Sequence, residues 1–456
     1  MNIVDLIFER HRGPEMAVIS PCGSLSYAGL QARVSQTERT LRRLLNWPSP
    51  AKQPRIGLDA PNGTDYIILA LAILKSGACF VPIASELTLS EQQELIERTS
   101  LHAVIRAQNA DDWHLELIQL QNSTEISSAF DSLNAAFIRF SSGTTAQSKG
   151  VVISHETLLA RITAANEALR ISPADCVLWV LPMAHHFAVS IILYLYHGAT
   201  TLLAPSTDPA MMLCLMRKHG ATVIYGSPYH YTLLASQPDA AAMQQLRLVV
   251  STAFALNQEV AGLFYSKTRL HITQALGVIE VGLPLINLEH AATYPTSVGK
   301  PTPCFEAKLE DGELLLRGPG LFDAYVSPWQ SRETALRQGW FPTGDIAEIN
   351  EKGCFFLKGR SQSVINVGGM KCFPEEVESV LNSHPLVKSA RVLARPHPVL
   401  GHVPVAELIT QNQIEDTLAS QLKKICQQRL SAYKVPLVFT FVNQLPMTAS
   451  GKMKRY

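Results

Sequence analysis

The chain has 456 residues, 47% of them hydrophobic and 17% charged, which suits two or three folded domains with sizeable cores and excludes a disordered chain. A net charge of +1 gives no nucleic-acid footprint and no general attraction to a membrane surface. Eight cysteines, at 22, 79, 176, 214, 304, 354, 372 and 426, form no Cys-x-x-Cys pair, so reduced and mostly buried thiols in a cytoplasmic protein are expected rather than disulfides or zinc.

In chain order, the first ten residues carry early acids and no long apolar core, so neither a signal peptide nor a transmembrane segment is expected there. Helical periodicity over 27–45, 64–75 and 89–99 alternates with strand-like runs at 55–58, 78–83 and 103–105, which predicts α/β units with mainly parallel sheets. Runs at 175–181, 200–203, 221–225 and 246–251 repeat the theme, and the apolar stretch 188–196 is too short for a bilayer and reads as core. From about 297 to 359 short strands and turns bracket a helix-like 331–337, a β-rich subdomain. Beyond it, a strand at 363–367, a helix at 374–382, strands at 390–394 and 403–409 and a helix at 414–430 predict a small α+β terminal domain. The expected fold is therefore α/β: a large layered N-terminal domain over 1–359, a hinge at 360–362 and a mobile C-terminal domain over 363–456.

Between strands predicted at 135–140 and 151–154 lies Phe140-Ser-Ser-Gly-Thr-Thr-Ala-Gln-Ser-Lys-Gly150. Its hydroxyls, flexible backbone and single lysine make a phosphate grip. It is not a P-loop, because Lys149 precedes Gly150 and a strand follows instead of a helix.

This loop resembles the signature of the adenylate-forming superfamily: acyl-CoA and aryl-CoA ligases, luciferases and the adenylation domains that feed carrier proteins. Four more stretches match in order: Leu181-Pro-Met-Ala-His185, Gln274-Ala-Leu-Gly-Val-Ile-Glu280, Gly339-Trp-Phe-Pro-Thr-Gly-Asp345 with Gly359-Arg360, and Leu445-Pro-Met-Thr-Ala-Ser-Gly-Lys452. With the early run 74–83 the resemblance spans nearly the whole chain.

The resemblance implies an AMP-forming ligase that uses ATP and Mg2+ to turn a carboxylic acid into an acyl adenylate, then passes the acyl group to a phosphopantetheine thiol. It assigns Ser141, Ser142, Gly143, Thr144, Thr145 and Lys149 to the β- and γ-phosphates, Glu280 to the magnesium ion, and Asp345 to both ribose hydroxyls. Arg360 meets the ribose or phosphate, Gln362 stands at the pivot, and Lys452 is the catalytic lysine of adenylation. His185 stands where relatives keep an aromatic or histidine gate, with a buried, satisfied histidine as the other reading. Several positions depart from the pattern. Leu276 replaces the aromatic residue that stacks on adenine, Ile279 a threonine that bonds the α-phosphate, and Asn366 a lysine; Ala146 and Ser148 replace a glycine and a proline of the phosphate loop.

The candidate acid pocket, Phe187, Tyr225, Ser227, Tyr229, Thr252, Phe254, Leu276 and Val281, is apolar or aromatic with few donors, which favours a fatty or aromatic acid. No aspartate follows His185 closely, so an α-amino acid is not expected. Coenzyme A is the simplest thiol acceptor. An acyl carrier protein is the alternative, and a degenerate adenylate-binding protein without turnover is a third reading.

Overall fold

The computed structural model describes all residues except 46–51, 86, 110, 119–126, 141–148, 205–206, 368–369, 399, 411–416 and 447–456, together with all side chains but those of 240–242, 362 and 371. The helices Tyr27–Leu45, Thr64–Lys75, Leu89–Thr99 and Pro374–Asn382 begin and end where their periodicity predicts. Leu89–Thr99 shows why. Thr88 accepts from the Glu91 backbone N–H while Glu91 reaches back to Thr88, and Ser100 closes the helix in the left-handed region at φ 44°. Thr64–Lys75 is buried continuously from Tyr66 to Leu74, which is what a helix apolar on every side requires.

The described residues fall into two units, one made of 1–306 and 316–341 and the other of 307–315 and 342 onward. The first holds two large sheets. One has eight strands in the order Trp329–Ser331, Ala324–Val326, Gly150–Ser154, Ala135–Phe140, Cys79–Pro82, Arg55–Asp59, Ala103–Ala107 and Trp113–Leu117. Its middle, from 135–140 to 103–107, is parallel. The other has nine strands in the order Lys300–Pro301, Gly282–Ile286, Thr273–Val278, Leu248–Ser251, Val223–Gly226, Cys176–Trp179, Thr200–Leu203, Met16–Ser20 and Gly23–Ser26. Six consecutive strands, from 273–278 to 16–20, run parallel. This is the mainly parallel, layered domain that the alternating pattern predicts, with near-continuous apolar strands because both faces are covered.

The second unit contains nearly all of a four-stranded sheet, Glu306–Glu310, Glu313–Arg317, Phe341–Ile349 and Phe355–Arg360. It also contains a sheet of Met370–Cys372, Ile365–Val367, Gly401–Thr410 and Val387–His397, to which Phe439–Phe441 adds a strand. The helices Pro374–Asn382 and Leu418–Arg429 supply Val377, Leu381, Leu418 and Leu422 to its core.

Two details differ from the sequence pattern. The helix expected over 331–337 contracts to the single turn Arg332–Ala335, too short for periodicity to assert itself. The apolar run 188–196 is core, as expected, but it opens as a wide π turn, Phe187–Ile191, before the α-helical Ile192–Tyr196. All eight cysteines are free, five of them buried, and no described helix is long and apolar enough to cross a membrane.

Three histidines of the first unit, His102, His155 and His230, are pushed down to about 4, chiefly by burial. Unfolding frees them to titrate near 6.5, so between those values the unfolded chain binds more protons and stability rises with pH. Thermal midpoints should therefore fall as pH drops from 6.5 towards 4. His155→Gln should flatten that fall, and an unchanged profile would show that His155 is already charged in the folded chain.

Candidate active site

The carboxyl ends of neighbouring parallel strands bring the sequence motifs of the first unit together. After Cys176–Trp179 comes the helical turn Met183–His186, after Val223–Gly226 comes Ser227, after Leu248–Ser251 come Thr252 and Phe254, and Thr273–Val278 runs into the turn that holds Ile279, Glu280 and Val281. Open α/β sheets gather ligands at such ends, where loops are free to vary over a rigid frame. A cleft there is lined by Phe80, Pro82, Phe137, Arg139, His185, Phe187, Val189 and Ile279. Phe187 meets Phe80 and Tyr66 edge-on, each with ring centroids 5.8 Å apart.

Glu280 is half-buried at the tip of the 273–286 hairpin. Its backbone carbonyl accepts from Phe322 N–H at 2.8 Å, and its carboxylate accepts from the Tyr325 hydroxyl at 3.2 Å. Burial and the Glu280 charge push the Tyr325 phenol far up, so it stays a donor. Lys149 lies 4.5 Å over the Tyr325 ring and donates to Gln330 Oε1 at 3.3 Å. Lys149, Tyr325 and Glu280 thus form one continuous chain of contacts, which joins the lysine of the phosphate motif to the expected magnesium ligand.

Sequence reasoning missed two arginines that face Glu280. Burial lowers both Arg139 and Arg161 to about 10, against the opposing pull of the Glu280 carboxylate, and both stay charged at neutral pH. Arg161, on the helix His155–Leu169, donates to Gly320 O at 2.5 Å and to Ile279 O at 2.6 Å, and so pins the hairpin tip. Gly320 sits at φ +80°, and a Cβ there would lie 2.4 Å from Arg161 Cγ; only glycine admits this close approach. A signal for Arg139 exists in the sequence: it is the one charged residue in the otherwise apolar strand Ala135–Phe140.

Other predicted pocket residues separate by environment. The buried Tyr225 stacks on Trp179 at 6.0 Å, is pushed up to about 12 by burial, and hydrogen-bonds Thr252. Ser227 shares its hydroxyl with His230 Nδ1 at 2.8 Å while capping the helix Pro228–Ala235. Val281 is fully buried, Leu276 half-buried, and Phe254 and Tyr229 exposed.

In the second unit Asp345 and Arg360 pair across the strands Phe341–Ile349 and Phe355–Arg360. Arg360 Nε lies 2.7 Å from Asp345 Oδ1, and Arg360 also donates to Thr343 O at 2.9 Å. Asp345 is buried whereas Arg360 is largely exposed, so the guanidinium holds the carboxylate from the solvent side. Gln362 lies in the short 3-10 turn Ser361–Ser363. Ser141, Ser142, Gly143, Thr144, Thr145 and Lys452 lie outside the described residues.

The sequence pattern of the AMP-binding enzyme family matches residues 8–326, and that of the AMP-binding enzyme C-terminal domain matches 376–452, ending on Lys452. A 2-succinylbenzoate–CoA ligase of Listeria monocytogenes is 26% identical over 89% of this chain and 88% of its own. A feruloyl-CoA synthase of Amycolatopsis is 25% identical over 94% and 92%. The solved o-succinylbenzoate CoA synthetase of Bacillus subtilis, in complex with its acyl-adenylate intermediate, superposes with a TM-score of 0.84 at 22% identity over 100% and 97% of the two chains. That superposition establishes the fold: a large N-terminal and a small C-terminal domain.

Proposed function

The chain belongs to the AMP-binding enzyme family, and on that premise we propose that it activates a non-amino carboxylic acid, fatty or aromatic, as an acyl adenylate and transfers the acyl group to coenzyme A. The observation that carries this reading is the position of Ile279, next to Glu280 in the chain, on the wall of a cleft built from Phe80, Phe137 and Phe187. Apolar lining side chains suit the body of such an acid, and the turn suits the reacting end. Two relatives whose names refer to coenzyme A and an aromatic acid favour that acceptor over a carrier protein.

In the first step a carboxylate oxygen of the acid attacks the α-phosphorus of ATP, and the bond to the bridging oxygen of pyrophosphate breaks. In the second the thiol sulfur attacks the acyl carbon and AMP leaves. Charge accumulates on phosphate oxygens in the first step, so the protein's contribution is positioning and electrostatics. Lys149, fixed over Tyr325, offers its ammonium to the phosphates. Asp345, oriented by Arg360, accepts the ribose hydroxyls. His185 gates the acid and thiol routes. The polypeptide from 363 onward turns about Gln362 between the two steps, and Lys452 serves the first only.

Among the described residues no cluster of three or more His, Cys, Asp or Glu could hold a metal alone. A lone carboxylate at Glu280 fits Mg2+ nonetheless, because that ion keeps most of its coordination for water and substrate phosphates. When bound it neutralises phosphate charge; Glu280 would hold it, with Tyr325 orienting the carboxylate.

The test is a pyrophosphate-release screen over fatty and aromatic acids, followed by acceptor assays with coenzyme A and with holo carrier proteins. Substrate-dependent release together with acyl-CoA formation is expected. Release without acyl-CoA would redirect the acceptor to a carrier protein, and no release with any acid would favour an adenylate binder without turnover. Ile279→Thr should preserve or raise the adenylation rate, by up to roughly a hundredfold, since it restores a donor for the α-phosphate. A sharp loss with folding intact would make Ile279 part of the apolar acid wall.

A further inference from the structure

The cleft wall holds one charged group that the reaction above does not use. Arg139 projects from the strand Ala135–Phe140 into the cleft beside Phe137 and Phe187. Its Nε is enclosed and has no hydrogen-bond partner among the described residues. The Tyr66 hydroxyl is likewise enclosed and without a partner, on a residue 1% exposed. The Tyr66 ring packs edge-on against Phe187, which lines the cleft together with Arg139. Burial keeps the phenol protonated. Arg161 also has one enclosed nitrogen without a partner, Nη2, but it is held by two carbonyls and is not on the cleft wall.

A buried donor without an acceptor costs about 1–3 kcal/mol, and more when charged. One such donor is on the wall of a cleft otherwise lined by rings and the other is on the ring packed against Phe187 of that wall, so both are open to an acceptor that arrives with the ligand. We propose that Arg139 and Tyr66 together bind a second oxygen function on the acid, a carboxylate or hydroxyl remote from the carboxyl group that is activated. The substrate class narrows accordingly, from any fatty or aromatic acid to one carrying such an oxygen. A guanidinium and a phenol can serve the two oxygens of a carboxylate or converge on one hydroxyl oxygen. Discrimination should be strong, because a site built to pair a substrate oxygen rejects the analogue that lacks it far more than an apolar pocket rejects a missing methylene. This inference rests on the ligase reading and specifies its substrate.

The experiment measures pyrophosphate release by the full chain with ATP and magnesium on matched acids of one skeleton: unsubstituted, with a distal hydroxyl, and with a distal carboxylate. At least one oxygen-bearing acid should exceed the unsubstituted acid in kcat/KM by about a hundredfold or more. The hydroxyl and carboxylate arms tell which oxygen is bound. Arg139→Met should bring the ratio near one, and Tyr66→Phe should reduce it in part. If Arg139→Met does not fold, Arg139→Lys and Tyr66→Phe read the same ratio. Wild type that uses the unsubstituted acid equally well overturns the proposal. So does an equal loss on all three acids in Arg139→Met, which would put the guanidinium on the α-phosphate that every reaction shares. Absence of turnover with any acid would instead sink the ligase reading, and calorimetric binding of the three acids, which needs no turnover, would still decide the Arg139 site.

Discussion

Glu280→Ala should lower acid-dependent pyrophosphate release by about a hundredfold to a thousandfold while the chain stays folded. The carboxylate is only half-buried, at a hairpin tip, so its loss opens no cavity in a core. It does leave Arg139 and Arg161 without the carboxylate that both face. Glu280→Gln removes that charge too, but it is the cleaner variant because its amide oxygen still accepts from Tyr325, whereas the charge that a hard cation needs is gone. Raised magnesium should partly restore either variant. Asp345→Ala provides the contrast, since it removes the proposed ribose acceptor, and there excess ATP should help and excess magnesium should not. Near wild-type turnover in Glu280→Gln would sink the assignment of Glu280 as the metal ligand.

Lys452→Ala separates the two half-reactions. If its ammonium stabilises charge only while the acid attacks ATP, adenylation should slow by about a hundredfold to a thousandfold and thioester formation should be spared. A flexible lysine with three donors suits charge that appears transiently. The comparison supplies chemically made acyl-AMP with coenzyme A, so that the reaction starts after the lysine's step. Equal loss in both assays would mean that the tail holds the terminal domain in place. No loss in either would make Lys452 an ordinary solvated terminal lysine.

Much of this frame is legible in the sequence where local rules suffice. Thr88 and Glu91 mark a helix start within four residues, and the apolar periodicity of 64–75 fixes a helix to its last residue. The five motifs name Lys149, Glu280, Asp345 and Arg360 without knowledge of any contact. Chain-distant encounters are not legible. The Tyr325–Glu280 hydrogen bond, the grip of Arg161 on Gly320 and Ile279, and the edge-on packing of Tyr66 against Phe187 each join segments far apart in the chain. No periodicity encodes them, because charges are buried in pairs that only the tertiary fold creates. Arg139 stands between: its charge inside an apolar strand is visible in the sequence, its place on the cleft wall is not.

The anchoring of the hairpin by Arg161 bears on how the enzyme could be redesigned. Arg161 holds the loop through main-chain oxygens, those of Ile279 and Gly320. A carbonyl is the same whatever residue bears it, so the clamp is indifferent to the side chain at 279. A randomised library at 279 can therefore alter the proposed acid wall while the loop keeps its course, whereas a library that includes 161 or 320 would scramble the scaffold along with the specificity.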